Sequence, residues 1–302
     1  MKKLIGLCAV AALAVAPLAC DLEKTANQAQ ANKVMVATIL STPPVDIQPE
    51  ALAGFDGSFD FGDAGSFDGG ILPTIGDGGV VTIPGQTAAF VFFGSRKSQS
   101  LDTPPDGIAG GQASVTPTGG AVTNLADKGA GNYERTSQDD KNFKYESGAD
   151  YAFTVVSQGE TFTGKVEKAP ALERIPEFHP PKGYVELSAG TSFTFTRPEP
   201  PANESRNLGF ITVYPISNNG EKGDPTYNNI PKTPLDFLKL IAAPSEWRGS
   251  PVTIPATAFP EPKKTYVVVF QAVKTGGPDS ANLFTGSAIL AGTAEIAIVK
   301  TK

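Results

Sequence analysis

Four aspartates, Asp56, Asp60, Asp63 and Asp68, stand close together in the stretch FDGSFDFGDAGSFDGG, where carboxylates at short intervals could share a cation. Calcium takes about six to eight converging oxygens, and the helix-loop-helix calcium motif supplies them from acids at alternate positions, a glycine and a closing glutamate. This stretch has no alternate-position triplet and no glutamate after it, and the nonapeptide period of glycine-rich calcium repeats is missing. It therefore reads as an acidic, glycine-rich insertion whose phenylalanines can dock on a neighbouring domain, with a cation on Asp56, Asp60, Asp63 and Asp68 as the alternative.

Catalysis is bounded more tightly. The chain has one histidine, His179, in the proline-rich EFHPP, and no GxSxG elbow, so a Ser-His-Asp hydrolase finds no footing. With one histidine and two cysteines, sites that hold zinc or copper on several such ligands are excluded by count. No GxxxxGK[ST] loop occurs, and no GxGxxG follows a strand-like run, so neither a nucleotide nor another cofactor is expected. Two carboxylates could still hydrolyse a glycoside, a pairing that sequence spacing cannot reveal. Carbohydrate platforms favour exposed tryptophan and tyrosine, whereas here there is one tryptophan, Trp247, and phenylalanine outnumbers tyrosine 18 to 7.

The N-terminus has two lysines, an apolar run from Leu4 to Val15, and small residues before Cys20, the pattern of an export signal. Pro17-Leu18-Ala19-Cys20 resembles the lipobox of bacterial lipoprotein precursors, with proline where that family places leucine. The resemblance implies cleavage before Cys20 and lipidation of that cysteine. Cys8 would leave with the signal, so the mature chain could form no internal disulfide and would depend on buried cores of adequate size. Lipid would be the only membrane anchor, because no later apolar run is long enough to span a bilayer. Loss of Lys2 and Lys3 takes the formal charge from -6 to -8. No basic residue lies between Lys33 and Arg96, while that interval holds seven acids. Nothing resembles the basic stripe needed for nucleic acid.

From Val34 onward, short runs rich in Val, Thr, Phe and Tyr are punctuated by 32 glycines and 26 prolines across the chain, which predicts an all-β fold. One helix is expected from Thr233 to Ile241, with Thr233 as cap and Pro234 at the first helical position. Two segments place a tyrosine after a turn at the head of an apolar strand: Tyr151 after YESGAD, and Tyr266 after FPEPKKT. Phe162-Thr163-Gly164 and Phe284-Thr285-Gly286 follow them at comparable places. Both segments resemble the penultimate strand of immunoglobulin-like and fibronectin type III domains, in which a corner tyrosine bonds back to nearby backbone. The resemblance implies two tandem immunoglobulin-like sandwiches, with the one short helix in the second.

The expected organisation is a signal peptide over 1–19, a polar tether over 20–32, and a first sandwich over 33–170 with the acidic insertion at 53–79. A proline-rich linker over 171–183 and a second sandwich over 184–302 follow. With no catalytic constellation in view, the chain is read as a non-enzymatic, lipid-anchored envelope protein that binds a protein or polysaccharide partner or acts as a spacer. The outer membrane or cell surface is favoured, with the periplasmic side or inner membrane as the alternative. Two other readings stay open: a polysaccharide-binding module and a carboxylate-dependent hydrolase.

Overall fold

Between Val34 and Leu40 the run KVMVATILST is apolar at every position but Thr38 rather than at alternate ones, as in a strand covered on both faces. The computed structural model describes residues 22–52, 74–75, 80–96, 101–218 and 220–302, and in it this run is β1 (Lys33–Thr42). A helix, α1 (Leu22–Gln30), precedes it, and β2 (Val45–Ile47) and a short helix, α2 (Pro49–Leu52), follow. Next come β3 (Thr74–Ile75), β4 (Val81–Ile83), β5 (Gln86–Ser95), β6 (Asp106–Gly107), β7 (Gln112–Pro117), β8 (Thr123–Gly129) and β9 (Asn132–Thr136). A hairpin of β10 (Tyr151–Ser157) and β11 (Glu160–Val166) leads to β12 (Val185–Leu187), β13 (Phe193–Phe195), β14 (Leu208–Ile216) and β15 (Tyr227–Asn228). The last helix, α3 (Pro234–Ala242), is followed by β16 (Val252–Ile254) and by two long strands, β17 (Thr265–Pro278) and β18 (Ala288–Thr301). The described chain is mostly β with few helices, in keeping with the all-β expectation.

Most strands join one large sheet that closes on itself. Pairing runs from β18 through β1, β5, β9, β8, β7, β10 and β11 to β17, and β17 pairs in turn with β18. Side chains at alternate positions point into this ring: Met35, Ala37 and Ile39 from β1, Ala89, Val91 and Phe93 from β5, Tyr151, Phe153 and Val155 from β10. The ring closes where β11 crosses β17, with Lys165 opposite Gly277. At that crossing Gly276 lies against the Lys165 carbonyl, leaving no room for a Cβ.

The other half of the same hairpin organises the second half of the chain. β14 pairs along the first part of β17, and β12 runs parallel to the end of β18. One face of this layer, including Phe210, Val269 and Val273, packs with Phe237 and Leu240 of α3 and with Leu40 and Ala88 from the outside of the ring. The opposite face, including Val213, Val268 and Phe270, is covered by Phe193, Phe195, Ile254, Phe178 and Ile175. β1 and β17 therefore have apolar neighbours on both faces, which explains why their apolar residues do not simply alternate.

These pairings cross the boundary expected at 171–183. β1 lies parallel to β18 from Val36 opposite Ala288 to Ser41 opposite Thr293, so the terminal hairpin serves both halves. The proline-rich segment is itself docked. Ile175 and Phe178 are buried, the Ile175 N–H donates to Glu295 Oε2 at 2.5 Å, and Glu173 holds the buried guanidinium of Arg197. The segment expected to be a tether is helical from Leu22, and its buried Gln28 donates to the carbonyls of Pro278 and Ser280 at 3.0 and 3.1 Å. Phe162 and Phe284 do not occupy matching places: Phe162 sits inside β11 opposite Val155, whereas Phe284 lies in the loop before β18 under the Arg96 guanidinium. The extra length of β17 moves that second site out of the hairpin.

Candidate functional site

The outer faces of β1 and β5 are apolar because both strands alternate inward and outward with little polar content. Where α3 and β14 lie against them, they leave a cleft of about 530 Å³, in the range of small-ligand sites. Val36, Leu40, Phe90, Phe210, Ile230, Phe237 and Leu290 form its walls, with Lys128, Asn132 and Glu134 from the β8–β9 hairpin at one side and Gln271 of β17 in its floor.

Local structure fixes these groups firmly. Thr233 caps α3 as the sequence led us to expect, its hydroxyl accepting the Asp236 N–H, and the Asp236 carboxylate accepts in return from the Thr233 N–H. Leu235 N–H donates to the Leu101 carbonyl, which ties the start of α3 to the loop following β5. Glu134 lies between the β5 and β8 neighbours of its strand, with its carboxylate 3.7 Å from the Lys128 ammonium. Gln271 is the chemically telling residue. The residue is 6% exposed, and among the described residues its side-chain amide has no hydrogen-bond partner. Its amide is reached from the cleft, so a donor and an acceptor are available to a ligand there.

No protein-family model matches the sequence, and none of the curated proteins compared with it is a match. What the molecule does must therefore be argued from its own groups.

The residues singled out by sequence fall elsewhere. Cys20 and the four aspartates Asp56, Asp60, Asp63 and Asp68 lie outside the described residues. Tyr151 and Tyr266 are fully buried. The Glu146 N–H donates to the Tyr151 hydroxyl oxygen at 2.6 Å, and the Glu261 N–H to that of Tyr266 at 3.1 Å, each from five residues upstream. Burial pushes both phenols up from their ordinary value. His179 Nε2 is 2.6 Å from Glu295 Oε1, on the outside of the docked linker and away from the cleft. Trp247 packs beside α3, and its indole N–H donates to the Asn229 carbonyl, so it presents no open platform. Glu134 is the one carboxylate among the described cleft residues, and a hydrolytic pair needs two.

Sequence reading missed the cleft. A signal for Gln271 existed: it is the single polar residue within VVVFQAV, a run otherwise fit for burial on both faces. Asn132 and Glu134 sit in an ordinary hairpin, GAGNYERT, and carry no such mark.

Proposed function

We propose that this chain is an exported, lipid-anchored protein of the bacterial envelope that performs no chemistry and binds a small amphipathic molecule in the cleft between the ring and α3. The observation that carries the binding role is the Gln271 amide, without a partner among the described residues, in the floor of a cleft walled mainly by apolar side chains. Its ligand has an extended or flat apolar body for Val36, Phe90, Phe210 and Phe237, and an amide- or hydroxyl-like group for Gln271. Lys128, Asn132 and Glu134 at the side of the cleft serve a polar end. The anchoring part of the proposal is supported by the signal-like N-terminus and by Cys20. No described helix is long and apolar enough to cross a membrane. For the fold we propose two immunoglobulin-like sandwiches joined through a shared hairpin, a reading supported by the two corner tyrosines.

The test is native mass spectrometry of full-length protein extracted gently from membranes, alongside Thr38→Trp, which fills the cleft from β1. A small-molecule adduct on the native chain that the variant loses, with circular dichroism unchanged, is the expected result. An adduct retained by the variant, or none on the native chain, overturns the binding reading. The intact mass of the same material reads the anchor separately: a lipid-sized increment should vanish in Cys20→Ser.

A further inference from the structure

A second cavity, independent of the cleft, lies at the far end of β1. It has a volume of about 290 Å³ and is lined by Ser41, Thr42, Gln86, Thr87, Ser137, Lys141, Phe143 and Lys144. Its charged groups share one sign, and none of the described residues lining it is a carboxylate. Glu146, two residues past Lys144, is exposed and outside the lining, and the two acids before Lys141 are committed elsewhere. Asp139 accepts from the Thr136 N–H and hydroxyl, and Asp140 accepts from the Asn142 N–H and lies 3.5 Å from the Arg135 guanidinium. Lys141, Lys144 and the hydroxyls of Ser41 and Thr42 have no side-chain partner among the described residues.

The loop that carries the two lysines, both of them exposed, is pinned to β5. The loop after β9 is fixed to Thr87 at both ends. Ser137 N–H donates to the Thr87 carbonyl at 2.8 Å, Thr87 N–H donates to Ser137 Oγ at 3.0 Å, and Tyr145 N–H donates to Thr87 Oγ1 at 3.0 Å. Between these staples, Phe143 is buried in the ring core, which sets Lys141 and Lys144 on either side of it. Gln86 also lines the cavity; it is 6% exposed, and among the described residues its Nε2 has no hydrogen-bond partner. A donor left unsatisfied at this burial is costly unless something accepts from it.

We infer that this cavity is a binding site for a small, freely diffusing oxyanion of the phosphate class. Two ammonium groups supply charge, and the Gln86 amide with the hydroxyl of Thr42, its cross-strand partner, and that of Ser137 supplies directed donors, the combination that tetrahedral oxygens require. The site needs no bond making, so occupancy is reversible and weakened by salt.

Isothermal titration of the full-length protein with inorganic phosphate at constant ionic strength tests this. The expected result is saturable binding, weakened about tenfold or more in Lys141→Gln/Lys144→Gln and in Gln86→Leu, but not in Lys182→Gln. Circular dichroism and the unfolding midpoint confirm that each variant folds. Absence of saturable binding, or equal binding by the Lys141/Lys144 variant, overturns the inference. Sedimentation with phosphatidylglycerol vesicles separates the source of the anion. Vesicle binding that the double variant abolishes, without binding of free phosphate, would assign the cavity to lipid headgroups and overturn the freely diffusing ligand.

Discussion

Arg197 donates from Nε and Nη2 to the two carboxylate oxygens of Glu173 at 2.9 and 3.0 Å, and the guanidinium is sealed from solvent. Arg197 also donates to the carbonyls of Trp247 and Asn207, and Asn207 Nδ2 donates back to Glu173. Burial draws the guanidinium below its ordinary value while Glu173 pulls it back. The pair fastens the proline-rich segment to the second half of the chain. Glu173→Ala strands a buried cation and is expected to cost about 3–5 kcal/mol in urea unfolding. The double replacement Glu173→Leu/Arg197→Met, which removes both charges, should recover most of that loss.

The cleft amide predicts no such cost. Gln271→Leu replaces an amide that has no partner among the described residues with an apolar group of similar size. The ligand-free protein should change by less than about 1 kcal/mol, while the ligand adduct is lost. Paired measurements of the urea midpoint and the native mass spectrum check both halves.

Two adjacent glycines should behave differently. A Cβ on Gly276 meets the Lys165 carbonyl, whereas one on Gly277 meets nothing. Gly276→Val is expected to open the β11–β17 crossing, cost about 1–3 kcal/mol, and speed amide exchange at Gly164 and Lys165. Gly277→Ala should leave exchange there close to native.

The start of α3 should respond to acid. Burial raises the Asp236 carboxylate, but the Thr233 hydroxyl and the N–H groups of Lys232 and Thr233 outweigh it, so its value lies below the ordinary one. A depressed carboxylate contributes stability that is complete above the unfolded value near 3.8 and disappears as pH falls through the lower folded value. Amides of the first turn of α3 are expected to exchange faster at about pH 2 than at pH 5, after correction for intrinsic rates. Asp236→Asn should flatten that difference.

Local chemistry was legible in the sequence where one residue type does one job. Thr233 followed by Pro234 announces a helix start, and a tyrosine after a turn announces a buried hydroxyl that accepts from backbone. Long-range partnership was not legible. Nothing in AILAGTAEIAIVKT tells that its first half pairs with β1 and its second half with β12, since an apolar strand advertises burial and not its neighbour. The prolines between Ala169 and Gly183 suggested a free linker because they forbid regular pairing, yet Ile175 and Phe178 anchor that segment without any ladder. The cleft was hidden for the same reason: its walls come from β1, β5, β14, β17, β18 and α3, which meet only after the chain has folded.

The parallel union of β1 with β18 also fixes a timetable. The Met35 N–H donates to the Ser287 hydroxyl across 252 residues of sequence. A ribosome, or a channel that passes the chain from its N-terminus, delivers β1 long before its partner exists. Until the final hairpin emerges, the ring has a missing wall and its interior faces water, so the early part of the molecule stays pliable and exposed to proteases. Resistance to proteolysis should therefore arrive all at once and late, which makes compactness a record that β17 and β18 have come through.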